Sequence, residues 1–128
     1  MNSMAKHDPE DLARIKSIEE RLLANPELAS LIDELATSTH DANDLVRGLL
    51  QASINRGLQA EMDVHLGYEH SDREGKAAVG TDNSRNGSYK KKVESNYGTL
   101  EIQIPRDRDG LYAPQMVPKG SRRLTDFL

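Results

Sequence analysis

The apolar residues of this chain change their period once, and that change limits the folds open to it. From Leu12 to Leu66 large aliphatic side chains recur at three- and four-residue intervals, which puts them on one face of a helix. From Ser88 to Ile104 they alternate, which puts them on one face of a strand. Helices therefore come first and a small sheet follows, an α+β arrangement with the two kinds of element segregated along the chain.

About three helices are expected. In the first, Asp8 can cap, Pro9 suits the first helical position, and Leu12, Ile15, Ile18 and Leu22 line one face. Asn25-Pro26 ends it and opens a second helix striped by Leu28, Leu31, Ile32 and Leu35. The third, with Asp41 as its expected cap and Gly67 as its stop, carries Leu45, Val46, Leu49, Leu50, Ile54, Leu58, Met62 and Leu66. Helices one and two can cover that stripe, or two copies of the chain can pair through Leu45, Leu49, Leu50, Ile54, Leu58 and Met62. Periodicity alone serves a core and a dimer seam equally.

Between Gly67 and Gly87 the chain is polar and rich in glycine, which predicts a loop or linker. Two strands follow, Ser88 to Ser95 and Thr99 to Ile104, joined by a hairpin turn at Asn96-Tyr97-Gly98 with Gly98 at positive φ. Tyr89, Lys91 and Val93 share one face of the first strand, and Leu100, Ile102 and Ile104 one face of the second. Lys90 and Lys92 then point away from the apolar side, and Pro105 ends the second strand. The expected division is a helical N-terminal extension over 1–40, a long amphipathic helix over 41–67, and the loop over 68–87. A β-hairpin and basic loop unit over 88–120 and a short terminal piece over 121–128 complete it.

Composition removes several function classes. There is no Cys, so neither disulfides nor thiolate chemistry is open to the chain, and aromatic residues make up 4% with no Trp, so the core is small or shared. No apolar run approaches the ~20 residues that span a bilayer, and the first ten residues are polar, which makes a cytoplasmic protein without a membrane partner the expectation. His7, His40, His65 and His70 lack the spacing of a zinc helix, so no metal site is expected in this chain. His65, near a helix end, is expected to interact with the C-terminal dipole. Asp107 and Asp109 each have arginine neighbours and read as a neutralised turn. No residue presents itself as catalytic.

Charge points elsewhere. Residues 83–128 hold nine Lys/Arg against five Asp/Glu, whereas residues 1–82 hold eight against sixteen, so a chain of net charge −4 divides into a −8 body and a +4 tail. Arg85, at the expected apex of the Asn83–Gly87 turn, can offer its guanidinium to a phosphate. Lys90, Lys91, Lys92, Arg106, Arg108, Lys119, Arg122 and Arg123 extend the series, a pattern suited to tracking a nucleic-acid backbone. The alternative is a solvated sheet edge guarded by lysines.

Five pieces then occur in order: His65-Leu66-Gly67-Tyr68, Asn83-Ser84-Arg85-Asn86-Gly87, Lys92-Val93 before Tyr97-Gly98, Ile104-Pro105-Arg106-Asp107-Arg108 with Gly110, and Pro114-Gln115 with Val117-Pro118-Lys119. From about Leu45 to Leu128 they resemble the N-terminal region of the Mutator-type transposases of bacterial insertion sequences. The resemblance implies DNA as partner, at the terminal inverted repeats of a mobile element, and a role in DNA transposition. It implies that strand cleavage and transfer belong to an RNase H-like domain whose acidic triad holds divalent metal such as magnesium. That domain is expected beyond the segment 121–128, so no catalytic residue or cofactor is carried over, and Leu124, Phe127 and Leu128 are expected to lack their apolar partner. Three roles follow as expectations: a DNA-binding and self-association part of a transposase, a non-catalytic module that pairs with full-length transposase and inhibits it, or a remnant without function.

Overall fold

The computed structural model describes residues 8–128, and the sequence expectations for residues 1–7, His7 among them, lie outside the described residues. Four helices precede a two-stranded antiparallel sheet: α1 Pro9–Leu23, α2 Pro26–Leu35, α3 Thr39–Leu66, α4 Arg73–Val79, β1 Arg85–Ser95 and β2 Gly98–Asp107, followed by a 3-10 turn at Leu124–Asp126. The fold is α+β. The chain divides into two compact units, one ending at Leu45 and one formed by Val46–Leu128.

In the first unit the caps follow local chemistry. Asp8 accepts from the Glu10 N–H and Asn25 from the N–H groups of Glu27 and Leu28, each ahead of a proline in the first helical turn. The residue before α3 is Ser38, whose hydroxyl accepts from the Asp41 N–H at 3.1 Å. Asp41 thus lies in the first turn instead of capping it, where it accepts from the Thr37 hydroxyl at 2.6 Å. Neither α1 nor α2 contributes a buried residue, and Leu12, Ile15, Ile18, Leu22, Leu31 and Leu35 are all between 43% and 55% exposed.

The second unit is built on the stripe of α3 and one face of the hairpin. Ile54 and Leu58 pack with Val93, Leu100, Ile102, Ile104 and Val117, with Leu50 at the margin. Pairing sets Val93 opposite Leu100, Lys91 opposite Ile102 and Tyr89 opposite Ile104, so the alternation expected of the strands is realised. Gly98 has φ +120°, and Asn96-Tyr97 form the tip. α3 also covers the outer edge of β2. Arg47 Nε donates to the Thr99 carbonyl at 2.7 Å, Gln51 Oε1 accepts from the Glu101 N–H at 2.7 Å, and Asn55 Oδ1 accepts from the Gln103 N–H at 2.8 Å. Side chains at four-residue spacing on the helix thereby satisfy main-chain groups at two-residue spacing on the strand, closing an edge that would otherwise be open to another chain.

Three elements differ from expectation. The polar segment read as a loop contains α4, capped by Asp72 through the Gly75 N–H at 2.9 Å and stopped by Gly80 at φ +74°. Two turns are too short to display a stripe, so only its start and stop signals are visible. β2 runs past Pro105 to Asp107 because the register shifts between Arg85 and Ser88. Asn86 and Gly87, at φ +71°, form a bulge there opposite Arg106, and the irregular pairing tolerates a residue without an N–H. Finally, Leu124 and Phe127 are not left without an apolar partner. They pack against the core, drawn in by the Glu94 N–H bonding the Arg122 carbonyl at 2.9 Å, while Leu128 stays 71% exposed.

Candidate nucleic-acid interface

The conspicuous motifs of the last third meet one another inside the fold. Asp107, at the end of β2, is 4% exposed and accepts four hydrogen bonds. They come from Asn83 Nδ2 at 2.9 Å, His65 Nε2 at 2.9 Å, and the N–H groups of Leu111 and Tyr112 at 3.1 Å each. Burial pushes the Asp107 carboxyl up, but the donors Asn83, His65, Tyr112 and Leu111 together outweigh it and hold the group well below the usual carboxylate range. Asn83 is itself buried. Its side-chain oxygen accepts from the N–H groups of Ser84 and Asp109, and its carbonyl from the Tyr68 hydroxyl at 2.8 Å.

Beside this cluster, Glu61 of α3 fixes the returning chain, accepting from the Tyr112 hydroxyl at 2.8 Å and from the Gln115 and Met116 N–H groups at 3.0 and 2.7 Å. Burial and the Glu61 carboxylate together raise the Tyr112 phenol, which stays a donor through the neutral range. The Tyr112 and His65 rings meet at 5.4 Å, on the wall of an open cavity of about 600 Å³ that Gly57, Ala60 and Val64 also line.

Two readings from sequence are set against this geometry, one extended and one corrected. His65 lies in the last turn of α3, as expected, and its ring also reaches Asp107, 42 residues away in the chain. Asp107 is not paired with its arginine neighbours: it is buried and bonded to Asn83, His65 and the Leu111 and Tyr112 N–H groups, whereas Arg106 and Arg108 are exposed.

The basic residues separate by position. Arg85 stands in β1 and not at a turn apex, and its guanidinium pairs with Asp63 of α3, leaving the side chain 16% exposed and its Nε without a partner. Lys90 and Lys92 face solvent on the outer side of the hairpin, where they share space with Glu101 and Glu94. Lys92 is paired across the strands with Glu101, and Lys90 Nζ lies 3.8 Å from that same carboxylate. Lys91 is half-buried at the margin of the inner face. Arg106, Arg108, Lys119, Arg122 and Arg123 are exposed. Of the residues considered for self-association, Ile54, Leu58 and Met62 are buried within the chain, Leu45 and Leu50 are half-buried, and Leu49 is 47% exposed.

Gln51, Asn55, Glu61 and Asp63, all structurally engaged, were not singled out from sequence. The signal available for two of them is uncharged amides at four-residue spacing beside an apolar stripe. Among the described residues, no group of three or more His, Asp or Glu side chains is placed to hold a metal ion, so the residues present do not fit an acidic metal triad. None of the described helices is long and apolar enough to cross a membrane.

The family pattern described as "Transposase, Mutator family" matches residues 23–128. The chain belongs to this family. It is 42% identical over 83 residues to the transposase for insertion sequence element IS905 of Lactococcus lactis, covering 65% of this chain and 20% of that protein. It is 46% identical over 76 residues to the transposase for insertion sequence element IS1201 of Lactobacillus helveticus, covering 59% of this chain and 20% of that protein. A probable transposase for an ISRM3-like element of Sinorhizobium fredii is 42% identical over 83 residues, covering 65% of this chain and 19% of that protein. The chain thus spans about a fifth of the length of the curated relatives it matches. Within this member of the Mutator family, all of α1 but Leu23 lies outside the matched residues, whereas the whole of the hairpin and the Asp107 cluster lies inside them.

Proposed function

We propose that this chain supplies DNA binding to a transposase acting at the terminal inverted repeats of an insertion sequence; its relatives are named as transposases for insertion sequence elements. One observation carries the reading: three of the five carboxylates of the basic region are hydrogen-bonded close to home, while its outer guanidinium and ammonium groups are exposed. Asp107 is turned inward, Asp126 accepts from the N–H groups of Arg122 and Arg123 at 2.8 and 3.0 Å, and Glu94 accepts from the Thr99 hydroxyl at 2.9 Å. Arg106, Arg108, Lys119, Arg122 and Arg123 then form the phosphate-facing set. Lys90 and Lys92 contribute less, since Glu101 shares their face, and Arg85 positions the hairpin on α3.

The reading assigns no catalytic residue to this chain. On this reading cleavage and strand transfer, with the divalent metal that the family resemblance implies, do not rest on residues of this chain. With about five phosphates neutralised, log affinity for duplex DNA should fall with log salt at a slope of roughly −4.5. An anisotropy titration over a range of salt concentrations measures it, and absence of binding at low salt removes the proposal.

A second reading, self-association with another copy or with a full-length transposase, is favoured by the apolar faces of α1 and α2. Seven large aliphatic side chains there are nearly half exposed or more, whereas most of the α3 stripe serves the chain's own core. Light scattering should give a mass that rises with concentration, and Ile15→Ser with Leu22→Ser should return it to that of a monomer. A strictly monomeric wild-type chain over a wide concentration range would exclude this role.

A further inference from the structure

Tyr89 stands apart from the other aromatic residues whose contacts are defined. The hydroxyls of Tyr68 and Tyr112 are engaged by Asn83 and Glu61, and Phe127 packs on the core. Tyr89 is 42% exposed, and its hydroxyl has no hydrogen-bond partner among the described residues. The Arg106 guanidinium lies over its ring, 4.8 Å from the centroid. Arg106 sits directly opposite the Asn86-Gly87 bulge, a feature of the sort that redirects a side chain, and it makes no ion pair among the described residues. The approach is open as well: Asn86, Gly87 and Ser88 are exposed, and a Cβ placed on Gly87 would meet nothing within 4 Å.

A guanidinium plane held against a phenol ring, with the exposed Arg108 two residues further along the chain, has two complementary features. The flat faces accept a planar π system, and the charges accept the phosphates on either side of it. Bases inside a duplex are already stacked and offer no free face. We propose that Tyr89 and Arg106 form a seat for an unpaired nucleotide at a duplex end or interruption. The inference rests on the DNA reading above and adds to it a preference that phosphate contacts alone do not create.

The test compares one labelled duplex with blunt ends against the same duplex carrying a short single-stranded overhang of either polarity, at fixed salt. The wild-type chain should bind an overhang duplex about tenfold more tightly. Tyr89→Phe should keep that preference, since the ring remains. Tyr89→Leu should bring overhang affinity down to the blunt level while blunt-duplex affinity changes less than twofold, and Arg106→Lys, which keeps the charge and loses the plane, should bring the ratio of overhang to blunt affinity measured in that variant to about one. Should Tyr89→Leu melt early, Arg106→Lys at its exposed position decides alone. Equal wild-type affinity for the two duplexes, or a preference that survives in Arg106→Lys, overturns the seat and leaves the DNA reading standing. Failure to bind either duplex overturns both.

Discussion

Replacing Asp107 by alanine should destabilise the Val46–Leu128 unit by about 3–4 kcal/mol, enough to remove much of the roughly 4–12 kcal/mol expected of a unit this size. The carboxylate is buried and accepts from four donors, so its loss strands Asn83 Nδ2, His65 Nε2 and two main-chain N–H groups without an acceptor. Stranded buried donors cost more than the bonds themselves contribute, which places this change among the severe ones. Asp107→Asn retains the shape and one oxygen but turns an NH₂ toward donors, so an intermediate loss of about 2 kcal/mol is expected. Urea unfolding monitored by circular dichroism measures both, and a loss below about 1 kcal/mol for alanine would show that the cluster does not support the fold. His65→Ala and Asp107→Ala should be non-additive, because they remove the two ends of one hydrogen bond.

The same carboxylate makes stability depend on pH. Its folded pKa lies below its unfolded value of about 4, so the stabilisation is complete above that unfolded value and is lost as pH falls through it toward the folded one. The urea midpoint of the wild-type chain should therefore drop on acidification below about pH 4. Asp107→Asn, which cannot titrate at this position, should show a shallower drop over the same interval.

Leu58→Ala should cost about 2–5 kcal/mol, the other large effect expected. Leu58 is fully buried on α3 within the cluster that joins Ile54 to Val93, Leu100, Ile102, Ile104 and Val117. Truncation removes apolar burial and leaves a cavity in a core with few large side chains to collapse into it. Leu49→Ala, on the same helix but 47% exposed, should cost less than about 1 kcal/mol. The pair also separates a core from a dimer seam. If Leu58 serves the chain's own core, its loss is the same at every protein concentration; if it serves a seam between copies, the loss varies with concentration.

Much of the hairpin unit was legible because it is local. Alternation at Val93, Leu100, Ile102 and Ile104 and a glycine at the tip define two strands and their inner face without reference to distant residues. α4 was missed because seven residues without an apolar stripe carry only a cap and a stop. The binding surface was harder to read. Arg85 and Lys90 look alike in a list of charges, yet one pairs with Asp63 under the hairpin while the other stays in solvent beside Glu101. Charge counting finds the basic last third of the chain and assigns none of its partners.

From its own periods and caps, the sequence determines four things about this Mutator-family chain: an α+β order, the ends of α1 and α2, the inner face of the hairpin and the basic character of the last third. Each follows from residues within a few positions of one another, where backbone geometry alone relates side chains. Only the tertiary structure decided that Asn83, His65 and Asp107 converge, that Arg47, Gln51 and Asn55 close the edge of β2, and that Arg106 lies over Tyr89. Several of those partners are tens of residues apart, and they are chosen by which donor and acceptor the packing of α3 on the hairpin brings within about 3 Å, a selection that no local pattern encodes.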